Sequence, residues 1–86
     1  MPTLFIPAPL RDHCGGADRI TLEAPTLRGL IRALEERFPG AAERLLVDDA
    51  PRPGWAFAVD GVMTKALTAR VGPTAEVHIV PAVGGG

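Results

Sequence analysis

The chain ends in Pro81-Ala82-Val83-Gly84-Gly85-Gly86. The Gly86 carboxylate is the group whose surroundings are most clearly arranged for chemistry. Glycines lack Cβ atoms, so they enter φ/ψ regions closed to other residues and let another backbone approach closely. Such a tail can thread a narrow channel and present its carboxylate inside a partner's active site. An α-carboxylate has an unperturbed pKa of about 3.3–3.7, so at neutral pH it is ionised and can act as a nucleophile. On composition alone the same residues read as an unselected terminus. The apolar run Val77-His78-Ile79-Val80 just before them shifts that balance, because a buried strand then hands over directly to a tail almost without side chains.

Other reactive residues form no constellation. His13 and Cys14 are adjacent but have no carboxylate at telling spacing, and both are expected in a loop, where Cys14 would oxidise if exposed. A metal site needs more ligands than any cluster here offers, so no metal is expected. His78 alternates with Val77 and Ile79 and should face away from them. Asp48-Asp49 reads as a solvated pair in a loop, and Trp55 as a residue that packs in the core or covers the sheet edge. Arg11 and Arg70 are candidates for charge contact with a partner. Lys65 is the only lysine, and the terminal glycines precede no helix, so they form no phosphate loop.

These residues must be positioned by one small domain. Eighty-six residues allow a single core, and with one cysteine no internal disulfide can reinforce it. The net charge of −1 gives no electrostatic case for nucleic acid or membrane as partner. The opening Met1-Pro2-Thr3-Leu4-Phe5-Ile6 lacks a basic region and reads as a first strand, not a signal peptide. No stretch approaches the roughly 20 apolar residues of a membrane span. A cytoplasmic protein is expected.

Residues 3–6 are strand formers that Pro7 and Pro9 terminate. Residues 10–18 read as a loop around Gly15-Gly16, and Arg19-Ile20-Thr21-Leu22-Glu23 alternates as a half-buried strand does. Thr26 is a good N-cap for a helix whose one face carries Leu27, Leu30, Ile31, Leu34 and Phe38, and Pro39-Gly40 ends it. Arg32 and Glu36 stand four apart on that helix. Residues 41–46 suit one or two helical turns, and residues 48–54 a surface loop. Trp55-Ala56-Phe57-Ala58-Val59 is a strand, and Asp60-Gly61 signals a hairpin. Val62 to Ala69 reads as a weaker, short edge strand, residues 72–75 as a turn, and residues 76–80 as the last strand. The order is β-β-α-β-(β)-β, an α+β fold with one helix across a mixed sheet, the first and last strands adjacent and parallel at its centre.

The pattern resembles the ThiS/MoaD family of ubiquitin-like sulfur carriers over nearly the whole chain. The resemblance rests on Ile6-Pro7, Leu10-Arg11 and Gly15-Gly16; on Thr26-Leu27, Leu34-Glu35, Phe38-Pro39-Gly40 and Glu43-Arg44-Leu45; on Val59-Asp60-Gly61; and on Glu76-Val77 leading into Ile79-Val80-Pro81-Ala82-Val83-Gly84-Gly85-Gly86. One departure is Thr74-Ala75 before Glu76-Val77, where the family commonly has Gly-Asp.

The resemblance implies a β-grasp (ubiquitin-like) fold: a mixed sheet of four to five strands with one main helix on one face, in residues 1–81, and a flexible tail in residues 82–86. It implies a protein co-substrate, not an enzyme. An E1-like enzyme using ATP and Mg would adenylate Gly86, and sulfur would then replace AMP to give a thiocarboxylate. Pro81, Ala82, Val83, Gly84 and Gly85 would form the partner-binding tail. The carrier itself would hold no cofactor. The sulfur acceptor would be an enzyme of cysteine synthase type; the alternative is that the chain is the small subunit of molybdopterin synthase, with that enzyme's large subunit as acceptor, and the thiamine-pathway carrier ranks third. A reading of another class remains: a ubiquitin-like interaction or conjugation module without sulfur transfer. An exposed apolar patch near Phe57, Val80 or Val83 would favour the small subunit of a permanent heteromeric enzyme.

Overall fold

The computed structural model describes residues 1–81. Its frame is a five-stranded mixed sheet in the order β2-β1-β7-β5-β6. The strands are β1 (Thr3–Phe5), β2 (Arg19–Thr21), β5 (Trp55–Val59), β6 (Val62–Thr64) and β7 (Glu76–Pro81). β1 and β7 lie parallel, with Leu4 opposite Val77, and every other neighbour is antiparallel. The β-grasp architecture and the pairing of first and last strands are therefore borne out.

The period-2 pattern of β7 sorts its side chains. Val77 and Ile79 are buried on one face, while His78 and Val80 stand half-buried on the other. The inward face of the sheet meets α1 (Leu27–Arg37), whose Leu27, Leu30, Ile31 and Leu34 are buried. With Leu4, Ile6, Leu45 and Phe57 they make one continuous core.

α1 begins where Thr26 caps it: the Gly29 amide donates to Thr26 Oγ1 at 3.1 Å. It ends at Phe38-Pro39-Gly40, with Gly40 at φ +97°. The chain is held in that reversal by Glu35, whose carboxylate accepts from the amides of Gly40 (2.9 Å) and Ala42 (2.9 Å). Those two bonds hold the Glu35 carboxyl below its ordinary value. Arg32 and Glu36 form no ion pair. Arg28 instead reaches Asp49 at 2.9 Å.

Three segments differ from the sequence reading. The first loop contains a six-residue 3-10 helix, Ala8–His13, with Pro9 in its first turn and Leu10 buried beneath it. Proline is tolerated there because the first amides of a helix lack intrahelical partners. Arg11, a candidate for charge contact with a partner, donates from Nε to the Ile6 carbonyl at 3.0 Å and ties this helix to the end of β1. The supposed loop at residues 48–54 opens with a two-stranded ribbon, β3 (Leu46–Val47) and β4 (Ala50–Pro51). Its two-residue turn places Asp48 and Asp49 at φ +52° and +59°, the left-handed geometry that twists a hairpin correctly. The edge strand expected over residues 62–69 is confined to β6 (Val62–Thr64), and Phe57, completely buried, contributes to no exposed patch.

Candidate functional site

The expected site is the chain's exit from the sheet. β7 carries the main chain from Val77, fully buried, to Pro81, exposed, and Pro81 lies opposite Trp55 of β5. Of the expected site residues, Pro81 therefore stands at the rim of the sheet. Ala82, Val83, Gly84, Gly85 and Gly86 lie outside the described residues.

Two surfaces flank this exit. The first is the sheet face turned away from α1. One cross-strand row on it runs Arg19, Phe5, His78, Ala58, Met63. Phe5 and His78 stack at 4.3 Å with rings 3° from parallel, and the Arg19 guanidinium lies 5.6 Å from the Phe5 centroid. Side chains directly opposite on neighbouring strands interact in this way. Met63 is 59% exposed at the end of the row. His78 thus faces away from Val77 and Ile79, and a ring, not a reacting group, occupies its face.

The second is a groove of about 550 Å³ at the open edge of β5, lined by Pro9, Leu10, His13, Glu43, Arg44, Arg52 and Trp55. β6 pairs only with Phe57 to Val59, which leaves β5 unaccompanied on that side at Trp55. Trp55 is half-buried there, against the core on one side and the groove on the other. The Arg52 amide donates to the Leu45 carbonyl (2.8 Å) and its Nε to the Glu43 carbonyl, while the Trp55 amide donates to Arg52 (3.1 Å). The walls are therefore tied to one another by the main chain.

The fold does not assemble the other reactive residues into a catalytic group. Cys14 is buried, and desolvation pushes its thiol above the ordinary value, away from the thiolate that reacts. His13, its neighbour, is exposed in the groove. Among the described residues no three His, Cys, Asp or Glu side chains gather as metal ligands, and no helix is long and apolar enough to cross a membrane. Arg70 is exposed, and its backbone bridges to Thr26. Ala75 is buried at the turn before β7, where a charged residue would be costly. The groove escaped sequence reasoning because its walls come from three separated segments; the only hint was the crowding of Arg52, Pro53, Gly54 and Trp55.

Known proteins place this arrangement. The chain is 31% identical over 90 residues to the sulfur carrier protein CysO of Mycobacterium tuberculosis, with 98% of this chain and 97% of that protein covered. A chain in the crystal structure of the Amycolatopsis orientalis BexX/CysO complex superposes with a TM-score of 0.91 at 28% identity, covering 100% of both. The crystal structure of Mycobacterium tuberculosis CysO gives 0.88 at 27% identity, over 96% of this chain and 100% of that one. Small archaeal modifier protein 1 of Methanosarcina acetivorans shares the fold, with a TM-score of 0.81 at 16% identity over 99% of this chain and 95% of that one. Residues 4–86, which include the strand-to-tail exit, match the ThiS family, and the chain belongs to it.

Proposed function

We propose that this chain is a sulfur carrier whose Gly86 carboxylate is adenylated by an E1-like enzyme and then converted to a thiocarboxylate. The observation that carries the reading is the strand β7, which runs from the centre of the core to the rim at Pro81 five residues before Gly86. Five extended residues span at most about 17–18 Å, enough to carry the carboxylate into a recessed site while the domain stays outside it. The 31% identity to CysO over 98% of the chain supports the sulfur cargo.

The chemistry then belongs to the partner. A Gly86 oxygen attacks the α-phosphorus of ATP, the bond to pyrophosphate breaks, and an acyl adenylate results. Sulfide, or a sulfur donor equivalent to it, attacks the acyl carbon; the bond to AMP breaks, and the thiocarboxylate remains. ATP and Mg are the activating enzyme's, and the chain acts as co-substrate. It supplies a rigid handle and a tail narrow enough to enter. The same CysO likeness favours an acceptor of cysteine synthase type over the large subunit of molybdopterin synthase.

The test is ATP–pyrophosphate exchange with an E1-type adenylating enzyme. The full chain should support exchange, and the chain lacking Gly85-Gly86 should support none while melting at the same temperature. Equal exchange with both chains would refute the assignment of Gly86.

A further inference from the structure

The groove at the tail exit joins two guanidinium groups and an indole within one set of walls. Arg52 has its Nε committed to the Glu43 carbonyl, and neither its terminal nitrogens nor those of Arg44 meet a carboxylate among the described residues. The ion pairs found there are Asp18–Arg19 and Arg28–Asp49, both elsewhere. Glu43 is the one carboxylate among the lining side chains, so at neutral pH the lining carries a net positive charge, on a chain whose total is −1.

We propose that this groove is a second docking point for the activating partner and receives an acidic segment of it, an Asp- or Glu-bearing loop beside the channel that the tail enters. Trp55 supplies the apolar wall against which the segment's main chain packs, and Arg44 and Arg52 pair with its carboxylates. The inference rests on the carrier reading above. Position decides the occupant. Trp55 lies opposite Pro81, whereas the reacting carboxylate can stand about 17–18 Å further on when the five residues are extended. The groove then meets the mouth of the partner's channel and not the nucleotide at its end. Rim charges of this kind act on encounter and salt dependence more than on the chemical step.

The test compares the wild-type chain with Arg44→Glu/Arg52→Glu and, as a charge-matched control, Arg32→Glu/Arg37→Glu on the outward face of α1. ATP–pyrophosphate exchange is measured with an E1-type adenylating enzyme at 50 and 300 mM salt. The groove variant should raise KM about tenfold or more at low salt with kcat unchanged, and most of the difference should vanish at high salt. Arg44→Gln/Arg52→Gln should fall between. The control should stay within about twofold of wild type. A groove variant that matches the control, or one that lowers kcat at unchanged KM, overturns the proposal. Melting curves confirm that each variant is folded.

Failure of the carrier reading itself would appear as no exchange by the wild-type chain. A titration of the isotope-labelled chain then decides alone. Hexaglutamate should shift the Trp55 indole and the Arg44 and Arg52 signals in the wild type and not in Arg44→Glu/Arg52→Glu. No shift, or an equal shift with AMP alone, overturns the proposal. Shifts that depend on the chain's own concentration without peptide would indicate a second copy as occupant and overturn it likewise.

Discussion

Leu34→Ala measures how much of this fold rests on the helix face. Leu34 is completely buried under the sheet among Leu30, Ile31 and Phe57. The substitution removes three carbon atoms. At about 0.8 kcal/mol per buried CH₂ the transfer loss is about 2.4 kcal/mol. Packed neighbours on both sides limit collapse into the space, so a cavity contribution raises the total to about 3 kcal/mol, inside the usual range of about 2–5. A domain of this size holds a net stability of about 4–13 kcal/mol, so the variant should fold but melt about 12–24 °C lower. Urea denaturation followed by circular dichroism gives the free energy, and an unchanged m-value shows that the same surface is still buried. Below its melting temperature the variant should support the proposed adenylation with a KM within a few-fold of wild type, because Pro81 and Trp55 stand at the rim of the sheet while Leu34 lies inside the core. A stability loss under about 1 kcal/mol would refute the packing of α1, and Leu30→Ala, equally buried, supplies an independent repeat.

Further predictions concern the caps and the thiol. Thr26→Ala should cost about 1 kcal/mol in urea denaturation and Thr26→Ser almost nothing; equal losses would show that the hydroxyl is not the cap. Glu35 has a folded-state carboxyl held below its ordinary 4.5, so the stability it contributes is complete above about pH 4.5 and is lost as pH falls through the lower folded value. Glu35→Gln should therefore be less stable than wild type at pH 7 and closer to it at pH 3, and a constant gap in the urea midpoints would contradict the bonds to Gly40 and Ala42. Cys14 should react with an aromatic disulfide reagent about tenfold or more slowly in the folded chain than in urea, since it is buried and its thiol is held protonated; equal rates would place it at the surface.

The helix and the central strands were legible because their signals are periodic and local. Leu27, Leu30, Ile31 and Leu34 declare one face, and Val77-His78-Ile79 alternates cleanly, so α1, β7 and the parallel pairing with β1 followed from pattern alone. The 3-10 helix Ala8–His13 was not legible, because Pro7 and Pro9 mark strand endings as readily as a helix start. The ribbon of β3 and β4 turns on Asp48-Asp49, two left-handed residues without the glycine that usually advertises such a turn. Arg28 and Asp49 meet across 21 positions in sequence, and no local spacing foretold it. The candidate site divides in the same way. The exit at Pro81 is visible in sequence as the end of an apolar strand, whereas Arg44, Arg52 and Trp55 become neighbours only when the second 3-10 turn, Ala42–Arg44, folds beside the start of β5.

The central claim is that Gly86 carries sulfur. Its most direct test is the intact mass of the chain after incubation with an E1-type adenylating enzyme, ATP, magnesium and a sulfide source, followed by fragmentation. The expected result is a mass increase equal to exchanging one oxygen for sulfur, located in the peptide that ends at Gly86 and absent without ATP. An unchanged mass on a folded chain with Gly86 intact, from an enzyme that forms the adenylate, would contradict it and favour an interaction or conjugation module.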